Sequence, residues 1–252
     1  MSTRYMMITG ASGGIGRATV SLFVQNGWSV IGVDRSPFGG TFPGDGLFIQ
    51  SDISIGENME YIFEQVNNFT SCLDALVNNA AFQVEKPILQ TTVEEWDAVM
   101  ASNLRSVFLA IKLAHPLLKE AHGGAIVNVS SVHAVATSAN ISAYAASKGG
   151  LLALTRAIAI ELASDEIRAN AILPGAVDTP MLRAGLTRGN LEGGDIQERL
   201  DNLARKTVNG RIGKPEEIAH AIYFLADGIQ SSFMTGQALI VDGGATARLS
   251  TE

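Results

Sequence analysis

Short apolar runs of four to six residues alternate along the chain with longer stretches in which apolar side chains recur every three or four positions, a rhythm that predicts strands and helices in turn. Tyr5 to Ile8, Ser29 to Val33, Leu47 to Gln50, Leu73 to Val77, Ala125 to Val129, Arg168 to Leu173 and Ala238 to Val241 read as strands. A helical pattern follows the first of them and stops at Asn26-Gly27, a C-terminal signal. Others cover Asn58 to Phe69, Val93 to Glu120 in two pieces, Ala145 to Leu162 and Pro215 to Ala226. The β-α alternation implies an α/β protein with a three-layer, doubly wound parallel sheet, in which ligands gather beyond the C-terminal strand ends. From Met181 to Arg211 the pattern weakens and carries Arg183, Arg188, Gly189, Gly193 and Gly194, as a lid over a substrate would.

Composition narrows the partners. No linker, repeat or low-complexity tract divides the 252 residues, so one domain spans 1–252, with the lid at about 181–211. A net charge of -7 argues against a nucleic-acid footprint, which needs a basic patch. A hydrophobic content of 46% and a mean hydropathy of +0.20 suggest buried subunit contacts. The lone Cys72 excludes an internal disulfide and a cysteine metal cluster, and His115, His122 and His220 show no ligand spacing, so no metal is expected. Residues 121–147 lack Lys, Arg, Asp and Glu, but Gly123, Gly124, Asn128, His133 and Asn140 interrupt them, so they read as strand, loop and helix start rather than a membrane span. With no secretory h-region in MSTRYMMITG, the expectation is a soluble, cytoplasmic protein.

Candidate chemistry sits at the predicted strand ends. After the first strand, Thr9-Gly10-Ala11-Ser12-Gly13-Gly14-Ile15-Gly16 opens a helix: glycines let backbone approach a pyrophosphate, and the helix N-terminus favours its charge. Gly10, Ser12, Gly14, Ile15 and Gly16 are therefore candidates to bind a dinucleotide. Asp34 ends the second strand, where its carboxylate can accept hydrogen bonds from an adenosine ribose and would repel a 2′-phosphate, favouring NAD over NADP. Arg35 beside it is suited to pairing with a phosphate or to lying solvated. At the third strand end, Asp52, followed by Ile53, suits either an adenine amino group or a helix N-cap.

Tyr144 and Lys148 lie four apart on a predicted helix and so project from one face. An ammonium about 4 Å from a phenol, at an effective dielectric of about 20, is worth roughly 4 kcal/mol. That would bring the phenol down by up to ~3 units, towards the range of a general acid and base. Ser131, just beyond the fifth strand, can offer its hydroxyl to the same substrate oxygen.

In order and spacing, Thr9-Gly10-x-x-x-Gly14-x-Gly16, Asp52, Asn78-Asn79-Ala80-Ala81, Asn103, Ser131, Tyr144-x-x-x-Lys148, Pro174-Gly175 with Thr179, and Val241-Asp242-Gly243-Gly244 resemble the classical short-chain dehydrogenase/reductase family over essentially the whole chain. Ala81 stands where the family commonly has glycine. The resemblance implies a seven-stranded Rossmann-like sheet, a homotetramer and a catalytic tetrad of Asn103, Ser131, Tyr144 and Lys148. It implies that Tyr144 exchanges the proton of the substrate hydroxyl, Ser131 holds that oxygen, Lys148 lowers the phenol pKa and holds the nicotinamide ribose, and Asn103 supports a water path to Lys148. It also places Asn79, Ala80, Pro174, Gly175, Val177 and Thr179 on the cofactor, the last two on its carboxamide.

Gln83 and His133 are similar to pocket residues of the 3-hydroxybutyrate dehydrogenase branch, but Ile141 stands where that branch carries a lysine for the substrate carboxylate. A hydroxy acid would then need Arg183 or Arg188, whereas sugars or polyols would need only hydrogen bonds from Gln83, His133, Ser138 and Asn140. The expectation is an NAD-dependent oxidoreductase for a small polar secondary alcohol: a sugar, a polyol or a hydroxy acid. Two alternatives stay open, an NADP-dependent 3-oxoacyl thioester (acyl-carrier-protein) reductase and a non-catalytic nucleotide sensor on the same fold.

Overall fold

A computed structural model describes residues 3–188 and 195–247, without the side chain of Arg188. Seven strands, β1 (Arg4–Thr9), β2 (Trp28–Asp34), β3 (Leu47–Gln50), β4 (Ala75–Asn78), β5 (Ala125–Val129), β6 (Arg168–Pro174) and β7 (Ala238–Val241), form one sheet in the order β3-β2-β1-β4-β5-β6-β7. Every neighbouring pair is parallel. The order reverses between β1 and β4, which opens a crevice beyond their C-terminal ends.

The apolar runs are strands covered on both faces. β4 and β5 are buried along their whole length, which is why they show no alternation of apolar and polar positions. One core packs Met7, Ile31, Leu76 and Ile126 of the sheet under α2 (Gly56–Phe69), α4 (Ser106–Glu120) and α5 (Ser142–Glu161). The other packs Met6, Ile8, Val30 and Val77 against α1 (Gly14–Gln25) and α8 (Pro215–Ala226). Phe23, Trp28 and Tyr223 meet edge to face in this second layer. Each large apolar side chain fully buried there contributes about 1.5–3 kcal/mol.

Two expected elements differ. Val93 to Glu120 forms α3 (Val93–Met100), a π-turn over Ala101–Arg105 and α4 in direct succession, and Asn103 sits in the π-turn, fully buried. A capping box of Thr92 and Glu95 starts α3, and Pro116 lies inside α4 without ending it. The helix that carries Tyr144 and Lys148 begins earlier than its periodicity suggests. Asn140 has φ +68° and Ile141 acts as N-cap, so Tyr144 is already within α5.

The weakly patterned 181–211 segment holds two helices in its described parts, α6 (Pro180–Arg188) and α7 (Ile196–Arg205). Gly189, Gly193 and Gly194 lie outside the described residues, as does the side chain of Arg188. No helix among the described residues is long and apolar enough to cross a membrane.

Candidate active site

The chain turn between β1 and α1 is shaped by glycines that admit no side chain. A Cβ on Gly16 would overlap the Gly10 carbonyl oxygen, and one on Gly10, at φ +70°, would come within 2.8 Å of Ala80 Cα. Gly13 is the N-cap of α1, where neither a side-chain cap nor an acidic first-turn residue is present. The first-turn N–H groups are thus left to an anion, which the positive end of the helix favours. Asn79 ties this turn to β4: its side-chain amide donates to the Thr9 and Gly10 carbonyls at 3.0 and 3.1 Å, while the Thr9 hydroxyl accepts from the N–H groups of Asn79 and Ala80.

Asp34 is fixed by two backbone donors. Its carboxylate accepts from Ser12 N–H and Ser36 N–H, both at 2.9 Å, and the Ser12 hydroxyl donates to the Ser36 carbonyl. A carboxylate with about four lone-pair sites keeps acceptor capacity beyond those two bonds. Arg35 lies over the Phe82 ring, 6.0 Å from its centroid. At the β3 end, Asp52 Oδ1 accepts from the N–H and the hydroxyl of Ser54, so the residue acts as a turn-former there while still lining the cleft.

These residues line one end of a single cleft of about 700 Å³. The cleft runs on past Ala80, Phe82 and Gln83 to Ser131, His133, Tyr144 and Lys148, and then to Pro174, Gly175, Val177 and Thr179. An extended dinucleotide fits this arrangement: an uncapped helix start for the pyrophosphate, a carboxylate at β2 for a ribose, and a second wall at the β5 end. Thr179 also accepts from Leu182 N–H and so starts α6. A Cβ on Gly175 would press on Asp242, whose carboxylate holds the β7 turn through Gly244 N–H and both Thr246 donors.

The end that carries Ser131, Tyr144 and Lys148 is laced into the core. Lys148 Nζ donates to the Val129 carbonyl at 2.7 Å, and the Ser130 hydroxyl donates to the Lys148 carbonyl at 3.0 Å, so both ends of this residue grip the tip of β5. Deeper in, Asn78 donates to Asn128, which donates to Thr155, joining β4, β5 and α5 through buried polar groups. Asn103 clamps the Phe82 backbone, accepting its N–H at 2.7 Å and donating to its carbonyl at 2.9 Å, and also donates to the Ser147 hydroxyl. Its side chain thereby joins the π-turn to the loop after β4 and to the residue before Lys148. The Ser131 hydroxyl accepts from His133 N–H at 3.2 Å, and the His133 ring stands edge-on to Tyr144 at 6.1 Å.

The electrostatics correct the simple ammonium-phenol picture. Lys148 Nζ lies 5.6 Å from the Tyr144 ring centroid, yet burial dominates both groups. It pushes the phenol up to about 12, opposed only by the Ser131 hydrogen bond, and pulls the lysine down to about 7. A lysine half-discharged near neutrality exerts less pull than a fixed cation, so the phenol is held protonated in the protein alone. Burial also lowers His133, which favours a neutral imidazole.

The substrate residues divide. Gln83 and His133 line the cleft, whereas Ser138 and Asn140 do not. Arg183, expected to supply a cation, is held by Asp178 in a bidentate pair at 2.7 and 2.8 Å and lies outside the lining. Ile141 is buried at the root of α5 and does not line the cleft either. Lining residues that the sequence did not single out include Phe82, Ala98, Ser102, Leu182, Leu203 and Lys206. Among the described residues no group of three or more His, Cys, Asp or Glu side chains is placed to hold a metal ion.

Comparison with known proteins agrees with this architecture. A family model described as Enoyl-(Acyl carrier protein) reductase matches residues 10–246. The 3-oxoacyl-[acyl-carrier-protein] reductase FabG of Thermotoga maritima is 36% identical, covering 94% of this chain and 96% of its own. A cyclopentanol dehydrogenase of Comamonas sp. is 32% identical over 98% of both. Among solved structures, Thermoplasma acidophilum aldohexose dehydrogenase superposes with a TM-score of 0.90 at 31% identity, covering 98% of this chain and 96% of its own. Levodione reductase gives 0.91 at 29% identity over 99% and 100%. With this fold, this cleft and these relatives, the chain belongs to the short-chain dehydrogenase/reductase family, whose members are NAD(P)-dependent oxidoreductases acting on alcohol and ketone groups.

Proposed function

We propose that this protein is an NAD-dependent oxidoreductase that moves a hydride between nicotinamide and a small polar secondary alcohol or its ketone: a sugar, a polyol or a hydroxy acid. One observation carries this reading. Ser131, Tyr144 and Lys148 share a cleft with an uncapped helix start and the backbone-fixed carboxylate of Asp34. The bound nicotinamide supplies or accepts the hydride.

The chain's own residues bind, orient and move the proton. Tyr144, protonated at neutral pH, gives its phenolic proton to the substrate oxygen in reduction and takes it back in oxidation. Ser131 hydrogen-bonds the same oxygen. Lys148, poised near neutrality, exchanges charge behind the phenol and holds the nicotinamide ribose. Asn103 is a positioning residue: both ends of its side-chain amide are engaged by Phe82 and Ser147, so it sets the place of Lys148 through the neighbouring Ser147.

Gly10, Ser12, Gly14, Ile15 and Gly16 hold the pyrophosphate, and Asp34 takes a ribose. Asp52, Ile53 and Ala80 border the adenine, with Arg35 at its edge. Asn79, Pro174, Gly175, Val177 and Thr179 seat the nicotinamide end. Gln83 and His133 hydrogen-bond the substrate, and α6 with α7 exclude water as a lid.

Exposed Phe108 and Ile160 on α4 and α5, with Phe233 and Ile240 near β7, support assembly as a homotetramer. A second reading, an NADP-dependent 3-oxoacyl thioester reductase, is favoured by the FabG relative at 36% identity. The carboxylate of Asp34 stands against it.

Purified protein assayed with each cofactor against neutral sugars and polyols, hydroxy acids and 3-oxoacyl thioesters tests both readings. The expected result is NADH formation from a polar alcohol. Reduction of thioesters with NADPH and no turnover with NAD would replace the first reading by the second.

A further inference from the structure

The substrate end of the cleft contains a cation that neither the tetrad nor the cofactor site uses. Arg35, Lys148 and Lys206 are the lysine and arginine side chains lining the cleft among the described residues. The strand order separates them: Arg35 follows β2 on one side of β1, with Asp34 and the β3-end Asp52, whereas Lys206 is the C-cap residue of α7 beside the β7 turn on the far side. Asn209 N–H donates to the Gly243 carbonyl at 3.1 Å, and the buried Thr207 hydroxyl bonds the Ala204 and Arg211 carbonyls, so the root of Lys206 is fixed.

The lining carboxylates, Asp34 and Asp52, both lie at the adenosine end. Lys206 forms no ion pair among the described residues, while its neighbour Arg211 is paired with Glu217 and Arg183 with Asp178. An exposed, unpaired lysine on an anchored stem, lining the cleft along with Leu182 and Leu203 where no carboxylate lines it, suits a negative group on the molecule that enters there.

We infer that Lys206 receives an anionic group of the substrate, a carboxylate or a phosphate, and so makes this a reductase or dehydrogenase with a preference for acidic substrates. The inference rests on the oxidoreductase reading and adds the substrate's charge to it.

The test uses two matched pairs with NADH and NADPH: acetoacetate against methyl acetoacetate, and acetoacetyl-phosphopantetheine against acetoacetyl-pantetheine. In wild type, kcat/KM favours the charged member of one pair, and which pair responds tells carboxylate from phosphate. Lys206→Met, which keeps an apolar stem, lowers that preference about tenfold or more, through KM rather than kcat. Lys206→Arg restores most of it, and Arg183→Ala leaves the preference as in wild type. Equal preferences in wild type and Lys206→Met for both pairs overturn the inference, as does turnover of neutral members alone, and neither result touches the Tyr144 chemistry. If wild type turns over none of these and no alcohol of the wider panel, the inference and the oxidoreductase reading fall together.

Discussion

The two ends of the cleft are built from different materials. The end proposed for the nucleotide is made largely of backbone: a glycine turn, the N-terminus of α1, and an aspartate held by two main-chain N–H groups. The end proposed for the substrate is made of side chains gathered from β5, α5, the loop after β4 and the helices α6 and α7. Backbone sites tolerate almost no change of residue, because the chain itself occupies the space a side chain would need. Side-chain sites can be re-equipped one position at a time, and the relatives' names, from cyclopentanol to aldohexose to an acyl carrier protein, show this range on one scaffold.

Lys148→Met is expected to lower turnover at least ~10³-fold while the cofactor still binds, as removal of a member of a catalytic unit does. The same variant reports the buried amine through stability. The folded-state pKa of about 7 lies below the ordinary 10.5, so between those values the unfolded chain holds a proton that the folded protein has released. Wild type should therefore gain stability relative to Lys148→Met as pH rises from about 7 to 10.5, by up to about 1.4 kcal/mol per pH unit. A constant difference in urea melts across that window would show the lysine to be charged in the fold.

Gly16→Ala probes the other end. Its Cβ would overlap the Gly10 carbonyl oxygen and sit 2.9 Å from Ala11 Cα, so the turn must open. The expected cost is about 2–4 kcal/mol of stability, with cofactor binding weakened at least tenfold in a fluorescence titration. Asp34→Ala should have a smaller effect: the preference for NAD over NADP should fall about tenfold or more, read as the ratio of kcat/KM values. An unchanged ratio would remove cofactor selection from Asp34.

Because the backbone end must be glycine at set places, it could be read from residue types alone, as could the strands buried on both faces. β3, β5, β7 and α8 fall where the apolar runs put them. The β4 ladder begins at Ala75, two residues into the apolar run, while Leu73 N–H donates to the Leu117 carbonyl of α4 and Asp74 N–H to that of Tyr5 in β1, partners that no local pattern records. The π-turn at Asn103 left no mark either, since apolar spacing continues through it. The pairing of Arg183 has a local signal: Asp178 lies just ahead of α6, and an acid before a helix with an arginine one turn inside it can be looked for. Lys206 closes an amphipathic helix, where a lysine ordinarily faces water and the negative helix end. Only the approach of the β7 turn places it on the cleft.

The same lesson applies to the phenol. Four-residue spacing brings Tyr144 and Lys148 together, but their protonation is decided by burial, which sequence does not show. The most direct measurement is Tyr144→Phe set beside wild type, with NADH dissociation constant and turnover determined on one preparation. The dissociation constant should stay within about threefold and turnover should fall at least ~10³-fold, since a ring without its hydroxyl still fills the wall but carries no proton. Turnover within tenfold of wild type would contradict the claim that this cleft works through the Tyr144 proton, and an equally inactive wild type would favour a nucleotide sensor on the same fold.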